Sequence, residues 1–408
     1  MSLCEASISR RAVLGSAGSM FAWAFIPRCA LAAGARDARL ICIVLRGALD
    51  GLSAVPPLGD PAYAGLRGNL ALALDDPIPA LPLDGFFALH PSMPKFARLY
   101  QIGQAAVVHA AATGYRERSH FDGQDVLESG QPGPGMTQSG WLNRFLAGLP
   151  KGERISPAGA LGIGALPPLI VRGPAPVLGW SAPLLAPADS DLLTRLSSLY
   201  ADTDPALHLA LTSAIETDQL ASMGGKRMKR QGGLADPAGM RQAALGAARL
   251  LAGDEGPRIA GLAFEGWDTH ANEGGVKGQL ATRLSGLDDA IQIFADTLGP
   301  TKWKDTALMV VTEFGRTARI NGTQGTDHGT GTVVFLAGGA IRGGRVIADW
   351  PGLAHNALHE GRDLMPTTDV RSIAKGLLSG LFGASNDYLA EQVFPGTDSL
   401  VPDVNILA

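Results

Sequence analysis

Leu40-Ile41-Cys42-Ile43-Val44-Leu45 is an unbroken apolar run with no polar residue alternating into it. A strand with one wet face alternates, so a continuous run of this length is the mark of a strand covered on both faces, as in a parallel sheet. Runs of the same kind recur at wide intervals: Ala105-Ala106-Val107-Val108, Ile259-Ala260-Gly261-Leu262-Ala263-Phe264, Ala307-Leu308-Met309-Val310-Val311 and Thr332-Val333-Val334-Phe335-Leu336. Between two of them, Leu280, Leu284, Leu287, Ile291, Phe294 and Leu298 fall three or four apart, which predicts a helix with one apolar stripe. Strands separated by helices predict an α/β domain, doubly wound, with a mainly parallel sheet and helices on both faces. Residues 150–190 are rich in Pro and Gly and read as an excursion or cap over the sheet, so that residues 33–408 form a single domain.

The first 32 residues carry a different message. Arg10-Arg11 stands directly before an apolar stretch running from Ala12 to Ile26, broken by Pro27 and followed by the small residues Ala30-Leu31-Ala32. Paired arginines before a weakly apolar segment, with a cleavable end, predict a twin-arginine signal peptide over residues 1–32. The expected partner during export is the twin-arginine translocase, and the expected location is the periplasm or the outside of the cell. The apolar stretch is too short for a membrane anchor, and no integral membrane segment is expected in the mature chain.

Removing residues 1–32 takes away three arginines and one glutamate, so the formal net charge of −4 becomes −6. No basic patch argues for nucleic acid, and the short cluster Lys226-Arg227-Met228-Lys229-Arg230 reads as a solvated surface segment. Cys4 and Cys29 leave with the signal, so Cys42 remains alone and no disulfide can form within the mature chain. Stability outside the cytoplasm must then come from the core or from a bound ligand.

In α/β sheets ligands bind beyond the carboxyl ends of the strands. The residues following the apolar runs are therefore the ones to inspect. They include Arg46-Gly47-Ala48-Leu49-Asp50, Arg116-Glu117-Arg118-Ser119-His120, Trp267-Asp268-Thr269-His270, and Thr312-Glu313-Phe314-Gly315-Arg316 with Thr326-Asp327-His328-Gly329 close behind. Carboxylates and neutral imidazoles suit zinc, manganese or iron, and the residues that could supply them are Asp50, Asp268, His270, Asp327 and His328. Ser119 could act as a nucleophile, with His120 beside it. Arg316, like Arg46, Arg116 and Arg118, offers a planar fork for phosphate or sulfate. His90 and His109 read as core or turn residues, and His208, His355 and His359 as surface residues. Each short motif taken alone could also be a turn or a helix cap.

Several of these runs resemble the bacterial domain-of-unknown-function family number 1501. They are Leu45-Arg46-Gly47-Ala48-Leu49-Asp50-Gly51, Arg118-Ser119-His120-Phe121-Asp122-Gly123-Gln124, Ser139-Gly140-Trp141-Leu142-Asn143, Trp267-Asp268-Thr269-His270, Thr312-Glu313-Phe314-Gly315-Arg316-Thr317 and Gly325-Thr326-Asp327-His328-Gly329. The resemblance implies a twin-arginine signal and an alkaline-phosphatase-like or sulfatase-like fold with metal sites beyond the strand ends. It also implies that Asp327-His328 is a metal-ligand pair, with Asp268 and His270 the ligands preceding it. The ion would be divalent: zinc, manganese, magnesium or calcium.

Two functions stay open from the sequence. One is a secreted metal-dependent hydrolase of phosphate or sulfate esters, acting on a small anionic ester. The other is a non-catalytic exported binding or scaffold protein that keeps the phosphatase-like fold, with a co-exported protein as its partner.

Overall fold

The computed structural model describes residues 37–149, 159–164, 166–181, 190–222 and 233–408. The signal segment 1–32 and the basic cluster 226–230 lie outside the described residues.

Eleven strands are described: β1 (Arg39–Leu45), β2 (Leu81–Pro82), β3 (Ala88–Leu89), β4 (Ala105–Ala112), β5 (Ala160–Ile163), β6 (Val177–Trp180), β7 (Ile259–Phe264), β8 (Thr306–Thr312), β9 (Thr332–Ala337), β10 (Arg345–Ile347) and β11 (Thr368–Asp369). The central sheet runs in the order β10-β4-β9-β8-β1-β7-β5-β6, with β11 beside β4, while β2 and β3 form a separate hairpin. β1 sits in the middle, parallel to β7 on one side (Leu40 opposite Ile259) and to β8 on the other (Leu40 opposite Ala307). All seven of its residues are buried. Ile41, Ile43 and Leu45 point into one core and Leu40, Cys42 and Val44 into the other, which is why the run does not alternate.

The helices that matter here are α1 (Gly51–Ala54), α2 (Tyr63–Arg67), α3 (Pro94–Gln101), α4 (His120–Ser129), α5 (Trp141–Ala147), α6 (Ser190–Thr203), α7 (Pro205–Ser222), α8 (Pro237–Ala252), α9 (Gln279–Trp303) and α10 (Val370–Phe382). α9 buries the whole stripe Leu280, Leu284, Leu287, Ile291, Phe294 and Leu298. It packs in the first core with α8, whose Met240, Ala244, Ala247 and Leu251 are buried there too. Truncating any of these large side chains to Ala should cost about 2–5 kcal/mol. The stripe ends where Gly299 turns to φ 67° ahead of Pro300. The opposite face is covered by α5 and α10 through Trp141, Phe145, Ile373 and Leu377.

Two departures from the sequence reading concern the sheet. The described part of residues 150–190 is only partly a cap: Ile170 and Val171 pack over the sheet against Gly261, but β5 and β6 extend the sheet itself, parallel to β7 and to each other. They escape a hydrophobic reading because each is only four residues long and one holds Gly162, the other Gly179. β9 runs antiparallel to both β4 and β8. Its leading end therefore lies at the edge where β1, β4, β7 and β8 have their carboxyl ends. No helix among the described residues is long and apolar enough to cross a membrane.

Candidate metal centre

Four loops meet at that edge. The loop after β4 ends at Ser119, the N-cap of α4, so His120 opens the helix. The loop after β7 carries Asp268 and His270, the extension of β8 carries Glu313 and Arg316, and the loop before β9 carries Asp327 and His328. The last two are stitched together: Thr317 N donates to Asp327 O (2.9 Å), Gly329 N to Gly315 O (2.8 Å) and Gly315 N to Thr330 O (2.8 Å). Two glycines allow the approach. A Cβ on Gly329 would lie 2.4 Å from the Arg316 carbonyl carbon. Gly47, at φ +117°, lies against the 267–268 peptide, and a Cβ there would come within 2.6 Å of Asp268 N.

His120, Asp268 and His328 each present one atom to a common point, all within 4.8 Å of one another. Asp268 Oδ1 is 3.5 Å from His120 Nε2, 3.5 Å from His328 Nε2 and 3.0 Å from His270 Nε2. Two donor atoms each about 2.1 Å from one ion stand about 3.0 Å apart at a right angle and about 3.4 Å apart at the tetrahedral angle. The 3.0 Å separation matches the right angle, and the two of 3.5 Å lie just beyond the tetrahedral value.

The outward nitrogens of the rings are fixed from behind. His328 Nδ1 donates to the Arg118 carbonyl oxygen (2.9 Å), which leaves Nε2 with its lone pair facing the cluster. His120 Nδ1 faces the fully buried Glu313 Oε1 (2.8 Å), and its Nε2 is buried with no hydrogen-bond partner. Burial works to raise the Glu313 carboxyl, but hydrogen bonds from His120, Gln124 and the Gly47 amide outweigh it and hold the group below the usual range. That hydrogen bond raises His120, against burial. Burial lowers His328, and the neighbouring His120 lowers it further, which favours the neutral ring that a metal requires. A carboxylate behind a histidine and a neutral ring with its lone pair inward are the ordinary supports of a metal site. On donor chemistry and on the orphaned His120 Nε2, the residues fit a divalent ion.

The structure redistributes the roles read from sequence. His120, expected beside the nucleophile, stands among the metal-facing donors. Asp268 sits inside the cluster, whereas Asp327 stands outside it, accepting from His270 Nδ1 (3.2 Å) and from Asn321 Nδ2 (3.0 Å). Asp327 is thus the carboxylate behind His270. Asp50 is not brought to the cluster. It caps α1 by accepting from Ser53 N (3.1 Å), and it is ion-paired with buried Arg67. Arg316 is no open fork either. It is buried, donating to the carbonyls of Ala48 (2.7 Å), Gly47 (2.6 Å) and Thr326 (3.1 Å) and to Asp268 Oδ1 (2.5 Å). Burial pushes Asp268 up, but the Arg316 guanidinium prevails and keeps it low. Arg46, Arg116 and Arg118 are likewise spent, on Glu128 and Glu265, on the Thr113 and Tyr115 carbonyls, and on Asp363 and Glu360. Ser119 adjoins His120 and makes no side-chain capping hydrogen bond.

Beneath the two ligand-bearing loops lies a second polar group that the sequence did not suggest. Glu273 Oε2 accepts from Thr269 Oγ1 (3.1 Å) and Thr326 Oγ1 (2.9 Å), the residues next to Asp268, His270 and Asp327. Its other oxygen lies 3.8 Å from Arg67 Nη2. Burial pushes Glu273 up to about 8, and the Asp50 carboxylate adds to the shift. Only Glu313 left a trace in the sequence, as a carboxylate directly after an apolar strand run. Arg67 and Glu273, 206 positions apart, left none.

The family model described as Protein of unknown function (DUF1501) matches residues 37–391. No curated protein is similar enough to count as a relative. Among solved structures, the crystal structure of Ps i-CgsB in complex with k-i-k-neocarrahexaose superposes with a TM-score of 0.44 at 12% identity, covering 89% of this chain and 75% of that one. A crystal structure of Ps i-CgsB superposes with a TM-score of 0.42 at 12% identity and the same coverage.

Proposed function

We propose that this chain, which belongs to the family described as Protein of unknown function (DUF1501), is an exported metal-dependent hydrolase of phosphate or sulfate esters with an alkaline-phosphatase-like fold. The observation that carries the reading is the buried, unpartnered Nε2 of His120, facing Asp268 Oδ1 and the lone pair of His328 Nε2 at the strand ends. His120, Asp268 and His328 would hold the ion, with His270 adding Nε2. Bound there, a divalent ion supplies Lewis acidity toward the ester.

The protein's own residues divide the remaining work. Glu313 and the Arg118 carbonyl orient two of the rings, and Arg316 orients Asp268. Ser119 is the proposed nucleophile, because its hydroxyl stands at the first turn of α4 unspent on capping. A helix N-terminus favours the negative charge that gathers there. In the reaction the Ser119 oxygen bonds to phosphorus or sulfur while the ester oxygen leaves and takes up a proton. Water then releases phosphate or sulfate and restores the hydroxyl.

The second reading, an exported scaffold without catalysis, is favoured by one observation. Arg46, Arg116, Arg118 and Arg316 are all committed to partners within the protein. Elemental analysis of purified mature protein, with assays on p-nitrophenyl phosphate and p-nitrophenyl sulfate, separates the two. Stoichiometric divalent metal with turnover that Ser119→Ala removes supports the hydrolase. A metal-free protein without turnover leaves the scaffold.

A further inference from the structure

The four arginines that follow the strand runs are spent, but Arg319 is placed to receive an anion. A groove of about 720 Å³ opens next to the cluster, a size suited to a small-molecule ligand. One wall is apolar and belongs to a packed core through Leu66, Leu353 and Leu358; Arg319, Arg362 and His355 line it as well. The backbone brings the two segments that carry these arginines together, since Ala318 N donates to Arg362 O (3.1 Å) and Thr317 bridges Asp363. Both arginines are exposed. Among the described residues no carboxylate pairs with Arg319. Arg362 is committed within the protein: it lies 3.6 Å from Asp363, whose other oxygen is held by Arg118, and its Nη2 donates to the His328 carbonyl oxygen. The groove reaches the cluster through shared residues: Asp327 lines it and holds His270, and Asn321 lines it and donates to Asp327.

We propose that this groove is an anion subsite, taking the remote acidic group of an elongated substrate whose apolar body lies along Leu66, Leu353 and Leu358. The substrate class is then an ester with an apolar stem and a second negative charge, a conclusion that rests on the hydrolase reading. The subsite itself does not. Arginine forks bind oxyanions by paired charge-assisted hydrogen bonds, and a fixed apolar wall adds to the affinity without needing to be ordered.

The test uses full-length mature protein freed of metal by chelation, titrated calorimetrically with hexylphosphonate, inorganic phosphate and hexanol. Hexylphosphonate should bind tightest of the three. Arg319→Ala should weaken it about tenfold, as loss of one charge-assisted contact predicts. Arg319→Lys should recover part of the loss, and Arg172→Ala, on another surface, should leave binding unchanged. Absence of binding to the wild type, or equal binding by Arg319→Ala and wild type, overturns the proposal. Metal content, measured on the untreated protein, is scored separately. Hexylphosphonate bound through Arg319 in a protein that carries no ion would retain the subsite and discard the hydrolase.

Discussion

The Nε2 atoms of His270 and His328 stand 2.9 Å apart, and no pair of neutral rings satisfies both residues. His328 needs its proton on Nδ1 for the Arg118 carbonyl, so its Nε2 can only accept. His270 would then have to donate from Nε2 and also offer a proton from Nδ1 to the Asp327 carboxylate. A neutral imidazole has one proton to give. One contact is left a proton short, and a cation between the two nitrogens would make good the deficit.

Protons and a divalent ion should therefore compete for this cluster. Adding Zn²⁺ or Mn²⁺ to chelated protein should raise its melting temperature near neutral pH, because the ion binds the folded chain better than the unfolded one. The rise should shrink as the medium is acidified to about pH 5.5 and vanish in His328→Ala. If metal-free and metal-supplemented wild type melt together, and elemental analysis finds no stoichiometric ion, the centre has been assigned wrongly.

Glu313 tests the support behind His120. Its Oε1 accepts from Gly47 N (2.8 Å), His120 Nδ1 (2.8 Å) and Gln124 Nε2 (3.0 Å). In Glu313→Gln the anion that fixes the ring is gone. Metal affinity should fall about 10–100-fold, the usual effect of losing a carboxylate behind a ligand. Titration calorimetry with Zn²⁺ on variant and wild type gives the ratio, with circular dichroism to show that both are folded. Equal affinities would mean that Glu313 serves only the fold.

Arg316 separates a positioning role from a substrate fork. Its buried guanidinium is shared among three loops and Asp268. Lysine keeps the charge but cannot reach all these acceptors. Arg316→Lys should lower unfolding free energy in urea by about 1–3 kcal/mol, the range for leaving a buried acceptor without its donor. Were Arg316 a fork for substrate, the variant would unfold at the wild-type midpoint and lose only affinity for the ester.

The sheet was readable in the sequence because a strand buried on both faces needs an unbroken apolar run, and β1, β4, β7, β8 and β9 each supply one. β5 and β6 were not, being short, glycine-containing and lodged among prolines. At the site, short-range chemistry was legible: Asp-x-His and Asp-His do reach a common edge. Which oxygen faces inward was not, because that depends on contacts across the chain. Arg316 draws Asp268 into the cluster, whereas Asn321 and His270 hold Asp327 at its margin. The same limit hid the Asp50–Arg67–Glu273 group, in which a turn carboxylate proves to be one partner of a buried ion pair.

Export is tested at Arg10 and Arg11, which precede the weakly apolar segment. Replacing both with Lys should leave the precursor in the cytoplasm. Normal export of the double variant by cells that retain only the twin-arginine route would refute the assignment.

The last prediction concerns the pH dependence of the fold through Glu273. Its folded-state value near 8 lies above the ordinary 4.5, because burial and the Asp50 carboxylate both disfavour a second negative charge beside Arg67. The other titratable neighbour, Tyr63, is pushed up to about 12 by burial and stays neutral throughout. Below the ordinary carboxyl value both folded and unfolded chains carry the proton, and the contribution of Glu273 to stability is fully present. Between the two values the folded chain keeps a proton that the unfolded chain releases. Stability must then fall as pH rises, by at most about 1.4 kcal/mol per pH unit for one group, levelling off above the folded value. A glutamine in place of Glu273 would mimic the protonated side chain, accepting from Thr269 and Thr326 and donating to Asp50 without titrating. Glu273→Gln should therefore gain on wild type steadily from about pH 5 to pH 8, in urea unfolding of metal-free protein. If the two stability profiles run parallel across that range, Glu273 is ionised in the folded chain and its raised value is assigned wrongly.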